Sequence, residues 1–120
     1  MDNTQPVMIE MPEGTKTWYL DGKFHRDDGP AIIAIHGDTW WYLDGKLHRT
    51  DGPAIDYPDG TKQWYHQGSR HRTDGPAVEY PDGSKSWWLR GYWQPNFDLW
   101  LDQNTELTGE EKVMMKLKYG

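Results

Sequence analysis

The sequence predicts a mainly β fold, an elongated, curved, single-layer antiparallel sheet of tandem β-hairpins in 23-residue repeats, with short capping helices at its C-terminal end. Three observations carry this. Trp18, Trp41, Trp64 and Trp87 follow one another at a constant interval of 23 residues, and a fixed period of that size marks a repeat architecture. Eleven of the thirteen glycines fall in three columns, Gly14/37/60/83, Gly22/45/68/91 and Gly29/52/75, so they are positional; the simplest reason is a backbone that needs positive φ there. After Trp88 the pattern stops and apolar residues recur at helical spacing.

The bulk properties bound the function. A chain of 120 residues has room for one domain, with the repeats over residues 7–95 and a helical cap over 96–120. A net charge of −6 argues against long nucleic acid as a partner, because phosphate binding needs an excess of Lys and Arg, and favours a basic protein instead. With no Cys there is neither a disulfide nor a thiolate metal site, which fits a reducing cytoplasm. The N-terminus carries no basic segment followed by an apolar run, and the aliphatic stretch 31–35 is too short to span a bilayer, so a cytoplasmic protein without membrane contact is expected. Eight Trp and seven Tyr must supply much of the core or of a binding face.

Taken in order, residues 7–12 match the second half of a repeat and provide the first strand. Pro58-Asp59-Gly60 and Pro81-Asp82-Gly83 read as tight hairpin turns, as do Asp21-Gly22 and Asp44-Gly45. The segments between are short, aromatic or β-branched, and partly alternating. His71-Arg72-Thr73-Asp74-Gly75-Pro76 could be a full turn, giving three strands per unit with successive copies reversed, or an irregular loop within a two-strand unit. The second is preferred, since Pro76 lacks a ladder donor and sits only at an edge or bulge. Identical residues then stack on one side: the column Trp18, Trp41, Trp64, Trp87 on one face and Tyr19, Tyr42, Tyr65, Trp88 on the other.

In the tail, Asn96 caps a helix bearing Phe97, Trp100 and Leu101. Thr108-Gly109-Glu110-Glu111 forms a capping box for a second helix, acids first and lysines last as the helix dipole prefers. The Val113, Met114, Leu117 stripe is expected to pack into the core, its alternative being a partner-facing groove.

The arrangement Trp-Tyr-x-x-Gly-x-x-His-Arg-x-Asp-Gly-Pro-Ala resembles a variant of the MORN repeat, and in particular the divergent MORN-like repeat proteins of bacteriophages, over about residues 7–118. The resemblance implies a single-layer sheet of consecutive hairpins and, from the phage proteins, an inhibitor or counter-defence role in the cytoplasm of a host cell. Tyr19, Tyr42, Tyr65 and Trp88 stand where the common repeat has Trp, and Thr17, Trp40, Gln63 and Ser86 where it has a small Gly. With the acidic balance, these differences argue against the lipid-binding role associated with the family.

The recurring titratable column is His25, Arg26, Asp28; His48, Arg49, Asp51; His71, Arg72, Asp74. Copies two strands apart lie about 10 Å apart at a strand spacing of ~4.8 Å, too far to share a metal ion whose ligands each sit about 2.0–2.2 Å away. Three equivalent constellations also suit a structural ladder better than an active site, so neither a catalytic residue nor a cofactor is expected. The ladder reads first as Arg paired with Asp around the Gly-Pro turn. Its functional alternative is an anion site, with Arg26, Arg49 and Arg72 beside His25, His48 and His71 holding a ligand such as a signalling nucleotide. Trp18, Trp40, Trp41, Trp64 and Trp87 are the candidate partner-binding residues, because exposed aromatic surface on a one-layer sheet calls for a partner, whether another protein or a second copy of the chain. His36 and His66 receive no role. The function expected is a non-enzymatic protein-binding module.

Overall fold

The computed structural model describes residues 5–120. Strand β1 (Val7–Glu10) turns into β2 (Lys16–Leu20), which turns again into β3 (Lys23–Phe24). The next unit holds β4 (Ile32–Ile33), β5 (Thr39–Trp40), β6 (Tyr42–Leu43) and β7 (Lys46–Leu47). Its successor repeats them as β8 (Ile55–Asp56), β9 (Lys62–Gln63), β10 (Tyr65–His66) and β11 (Ser69–Arg70). The last unit has β12 (Val78–Glu79), β13 (Lys85–Leu89) and β14 (Tyr92–Gln94), followed by helices α1 (Phe97–Gln103) and α2 (Gly109–Tyr119).

The main sheet is antiparallel and open, in the order β1-β2-β4-β5-β8-β9-β12-β13-β14, with β3 paired to β2 off this path and the hairpins β6-β7 and β10-β11 beside it. The hexapeptide is an irregular loop, as expected, and its geometry can be stated. Tyr65 pairs with Arg70 and Gln63 with Val78, so two steps along the rising strand are matched by eight along the descending one. Trp64 pinches the excess: its N–H donates to the Ala77 carbonyl at 2.8 Å and its carbonyl accepts from His71 N–H at 3.1 Å. Trp18 and Trp41 make the same pair of bonds, to Ala31 and His25 and to Ala54 and His48. Each side hairpin also bonds to the next, through Gly45 to Phe24, Gly68 to Leu47 and Gly91 to Arg70.

The hairpin tips explain one glycine column. Asp44 (φ 49°) and Gly45 (φ 77°) are both left-handed, the type I′ geometry whose twist matches that of the flanking strands. The column Gly29, Gly52, Gly75 needs a different account from the one expected, for these three do not have positive φ. A Cβ on them would sit 2.8, 2.9 and 2.7 Å from the guanidinium carbon of Arg26, Arg49 and Arg72, so glycine is there to let an arginine close over the loop.

Residues directly opposite one another in adjacent strands share a face. One row crosses the sheet as Ile9, Thr17, Ile32, Trp40, Ile55, Gln63, Val78, Ser86, and continues above as Tyr19 with Phe24, Tyr42 with Leu47, Tyr65 with Arg70 and Trp88 with Trp93. This is the apolar face. The other face carries charged rungs, Glu10–Lys16, Asp56–Lys62 and Glu79–Lys85, interrupted by Ile33–Thr39. Above those rungs stand Trp18, Trp41, Trp64 and Trp87.

Both helices pack on that second face. Trp87, Leu89, Trp100 and Leu101 form the core cluster, with Phe97, Leu107, Met115 and Tyr119 against it. Asn96 and Thr108 cap the helices as expected, Thr108 with Glu111 in a full capping box. The Val113, Met114, Leu117 stripe, by contrast, is not core: these residues are 56, 60 and 78% exposed, and α2 turns Met115 and Tyr119 inward instead. The radius of gyration is 16.4 Å, against about 13–14 Å for a compact chain of this length.

Candidate functional site

Each repeat builds one loop around one arginine. Arg49 Nε donates to Asp51 Oδ1 at 2.8 Å and its Nη1 to the Pro53 carbonyl at 3.1 Å, while its guanidinium carbon lies 4.0 Å above the Trp41 ring. Arg26 repeats this over Trp18 at 3.9 Å, and Arg72 over Trp64 at 3.8 Å, the latter also reaching Glu79 Oε2 at 2.9 Å. A cation on an indole face is stabilising by about 0.5–2 kcal/mol, more as water is excluded. Arg49 holds the Asp51 carboxyl below its ordinary range, first by hydrogen bonding and then by charge. The ladder is therefore an arginine-centred clamp in which Trp18, Trp41 and Trp64 of the predicted partner-binding residues carry Arg26, Arg49 and Arg72 of the predicted anion-binding ones.

The histidines join neighbouring repeats. The Nδ1 of His25, His48 and His71 accepts the backbone N–H of Asp44, Gln67 and Arg90, at 3.0, 2.9 and 2.8 Å. Accepting requires a neutral ring. Burial, then the nearby His66, push the pKa of His48 and His71 down, which favours that neutral form.

Trp87 has no arginine loop after it. Phe97, Trp100 and Tyr119 lie 5.2, 4.8 and 5.2 Å from its ring instead, and it is 8% exposed. The cap is tied to the last loop by Trp100 Nε1 donating to the Arg72 carbonyl at 3.2 Å and Asn104 Nδ2 to Thr73 at 3.0 Å. Trp40 stands apart from the column: it belongs to the apolar face, edge-on to Tyr57 at 5.9 Å.

The apolar face holds a second aromatic file that the sequence placed but did not single out. Tyr19, Phe24 and Tyr42 follow at 4.8 and 5.2 Å, and further along Arg70 lies 5.4 Å from the Tyr65 ring and 4.8 Å from Trp88. Arg70 also donates to Gln63 Oε1 and the Tyr65 hydroxyl. Strand parity was the available signal, since a cation three residues before each Gly of the loop belongs with the Trp column and leaves the Tyr column open. A groove of about 870 Å³ lies on the other face between the second and third loops, with His66 in its lining.

Comparison with family models, with curated proteins and with solved structures finds no match. Among the described residues no group of three or more His, Cys, Asp or Glu is arranged to hold a metal ion, and no helix is long and apolar enough to cross a membrane.

Proposed function

We propose that the protein is a non-enzymatic binding module that docks a protein partner on the apolar face of its sheet. One observation carries the reading: the arginine loops and both helices gather on one face, while the other carries a file of half-buried rings, Tyr19, Phe24, Tyr42 and Tyr65, with no helix packed on it among the described residues. Its ends are open, with Val7, Ile9 and Trp93 being 63, 47 and 58% exposed. Aromatic anchors with an arginine among them are the side chains that dominate protein interfaces. The net charge of −6 favours a basic partner by steering. The resemblance to phage repeat proteins extends the reading to an inhibitor of a host defence or nucleic-acid-processing protein, a step that rests on analogy of fold.

The test is affinity capture from a bacterial lysate with the wild-type chain and with a Tyr42→Ser/Tyr65→Ser variant. A partner held in stoichiometric amount by the first and released by the second is the expected result. Capture by neither, or equally by both, overturns the proposal. A second copy of the chain as occupant would show as a dimer lost in the same variant.

A further inference from the structure

A repeat chain carries its own alignment, and departures from it locate what one copy does differently. The column Leu20, Leu43, His66, Leu89 has one polar member, and the column Lys23, Lys46, Ser69, Tyr92 exchanges its lysine for a hydroxyl in the same copy. At the left-handed turn position, Asp21 and Asp44 give way to Gln67 and then Arg90. His66, Gln67, Ser69 and Arg90 all line the groove of about 870 Å³.

The preceding groove, about 250 Å³, shows what these changes do. Leu43 lines it, and Asp27, Asp28 and Asp51 outnumber Arg26 and Arg49 there. One step along, Thr50 takes the place of Asp27, His66 that of Leu43, and Arg90 adds a cation. The acids that remain are engaged: Asp51 and Asp74 by their own arginines, and Glu106 by Arg90 Nη2 at 3.3 Å, which also reaches Thr105 Oγ1 at 3.3 Å; both are long contacts between exposed groups that a phosphate would have to displace. Among the described residues the Ser69 hydroxyl and the His66 ring make no hydrogen bond, and the His71 ring has one nitrogen left after Nδ1 is used.

We infer that this groove binds a phosphorylated small molecule of about nucleotide size, its phosphate monoester met by Arg90, His66, His71 and Ser69. A tetrahedral oxyanion offers several acceptor oxygens to donors that line one groove, and charge-assisted bonds to Arg are the strong ones. The volume falls within the roughly 300–1,000 Å³ of small-molecule sites. The site is on the face opposite the proposed docking surface, so the two readings fail separately.

The experiment is a ¹H–¹⁵N NMR titration of the full chain with adenosine monophosphate, adenosine and inorganic phosphate in parallel. Expected are saturable shifts with the monophosphate confined to residues 66–73 and 90, weaker ones at the same residues with inorganic phosphate, and none with adenosine. Shifts on the Tyr19–Tyr42 face, equal binding of adenosine, or no saturation up to about 10 mM overturn the inference. The variant His66→Leu/Arg90→Gln inserts residues this chain already carries in those columns at Leu43 and Gln67. It should weaken binding at least tenfold with an unchanged melting temperature; unchanged affinity would also overturn the assignment.

Discussion

At the scale of the residue, the histidine bridges between repeats make stability depend on pH. His48 and His71 are held below the ordinary value of 6.5, by burial first and by His66 second, with Arg90 lowering and Glu106 raising His71. Below pH 6.5 the unfolded chain therefore binds more protons than the folded one. Stability is full above that pH and declines as pH falls through the folded-state values. Melting temperature measured from pH 8 down to 5 should drop over the acidic half, and His71→Asn, which keeps an acceptor without titrating, should flatten the drop. The glycines of the loop give a second expectation. Gly75→Ala drives a methyl against both Arg72 and the Tyr119 hydroxyl, 2.7 and 2.8 Å away, whereas the atoms nearest a methyl at Gly52 all belong to Arg49. Denaturant unfolding should show about 1–3 kcal/mol lost for the first and the lower end of that range for the second. The positions of these glycines were legible in the sequence, but their reason was not, because it depends on a side chain three residues earlier folding back over the loop.

At the scale of the element, the two helices were legible in kind and in their caps, since Asn96, Thr108 and Glu111 act through local hydrogen bonds. The face of α2 was not. Val113, Met114 and Leu117 share a side at helical spacing, yet the core selects Met115 and Tyr119, because what they must cover is the Trp87 ring and the tail approaches it from the other side. Leu117→Lys should therefore leave stability within about 0.5 kcal/mol, while Met115→Lys costs about 1–3 kcal/mol. Urea unfolding of both variants checks this, and the opposite ranking would restore the stripe as core. The same reasoning explains the aromatic columns. Alternation along a strand assigned Trp and Tyr to opposite faces, but only the folded loop determines which of the two is covered.

At the scale of the whole molecule, the 23-residue step is the unit of construction, and it was legible because its spacing carries no insertion. Repeat proteins have stability close to a sum over copies and their interfaces. Removing residues 39–61, one full period, should leave a folded chain whose urea m-value falls by about a fifth, whereas removing 22 residues turns every later side chain to the wrong face and abolishes cooperative unfolding. Circular dichroism with urea titration distinguishes the two.

The interrupted file of charged rungs bears on how such a chain finds one arrangement. Where every copy is alike, a strand could trade its neighbour for the next copy's and lose nothing, which is how repetitive chains tangle. A trade that set Lys62 opposite Ile33 would take it from Asp56, its partner at 3.1 Å, whereas Ile33 in the native register lies between Lys16 and Thr39 and offers no charge in exchange. That one uncharged step gives the second copy an address of its own, and the strands of the third a preference for each other.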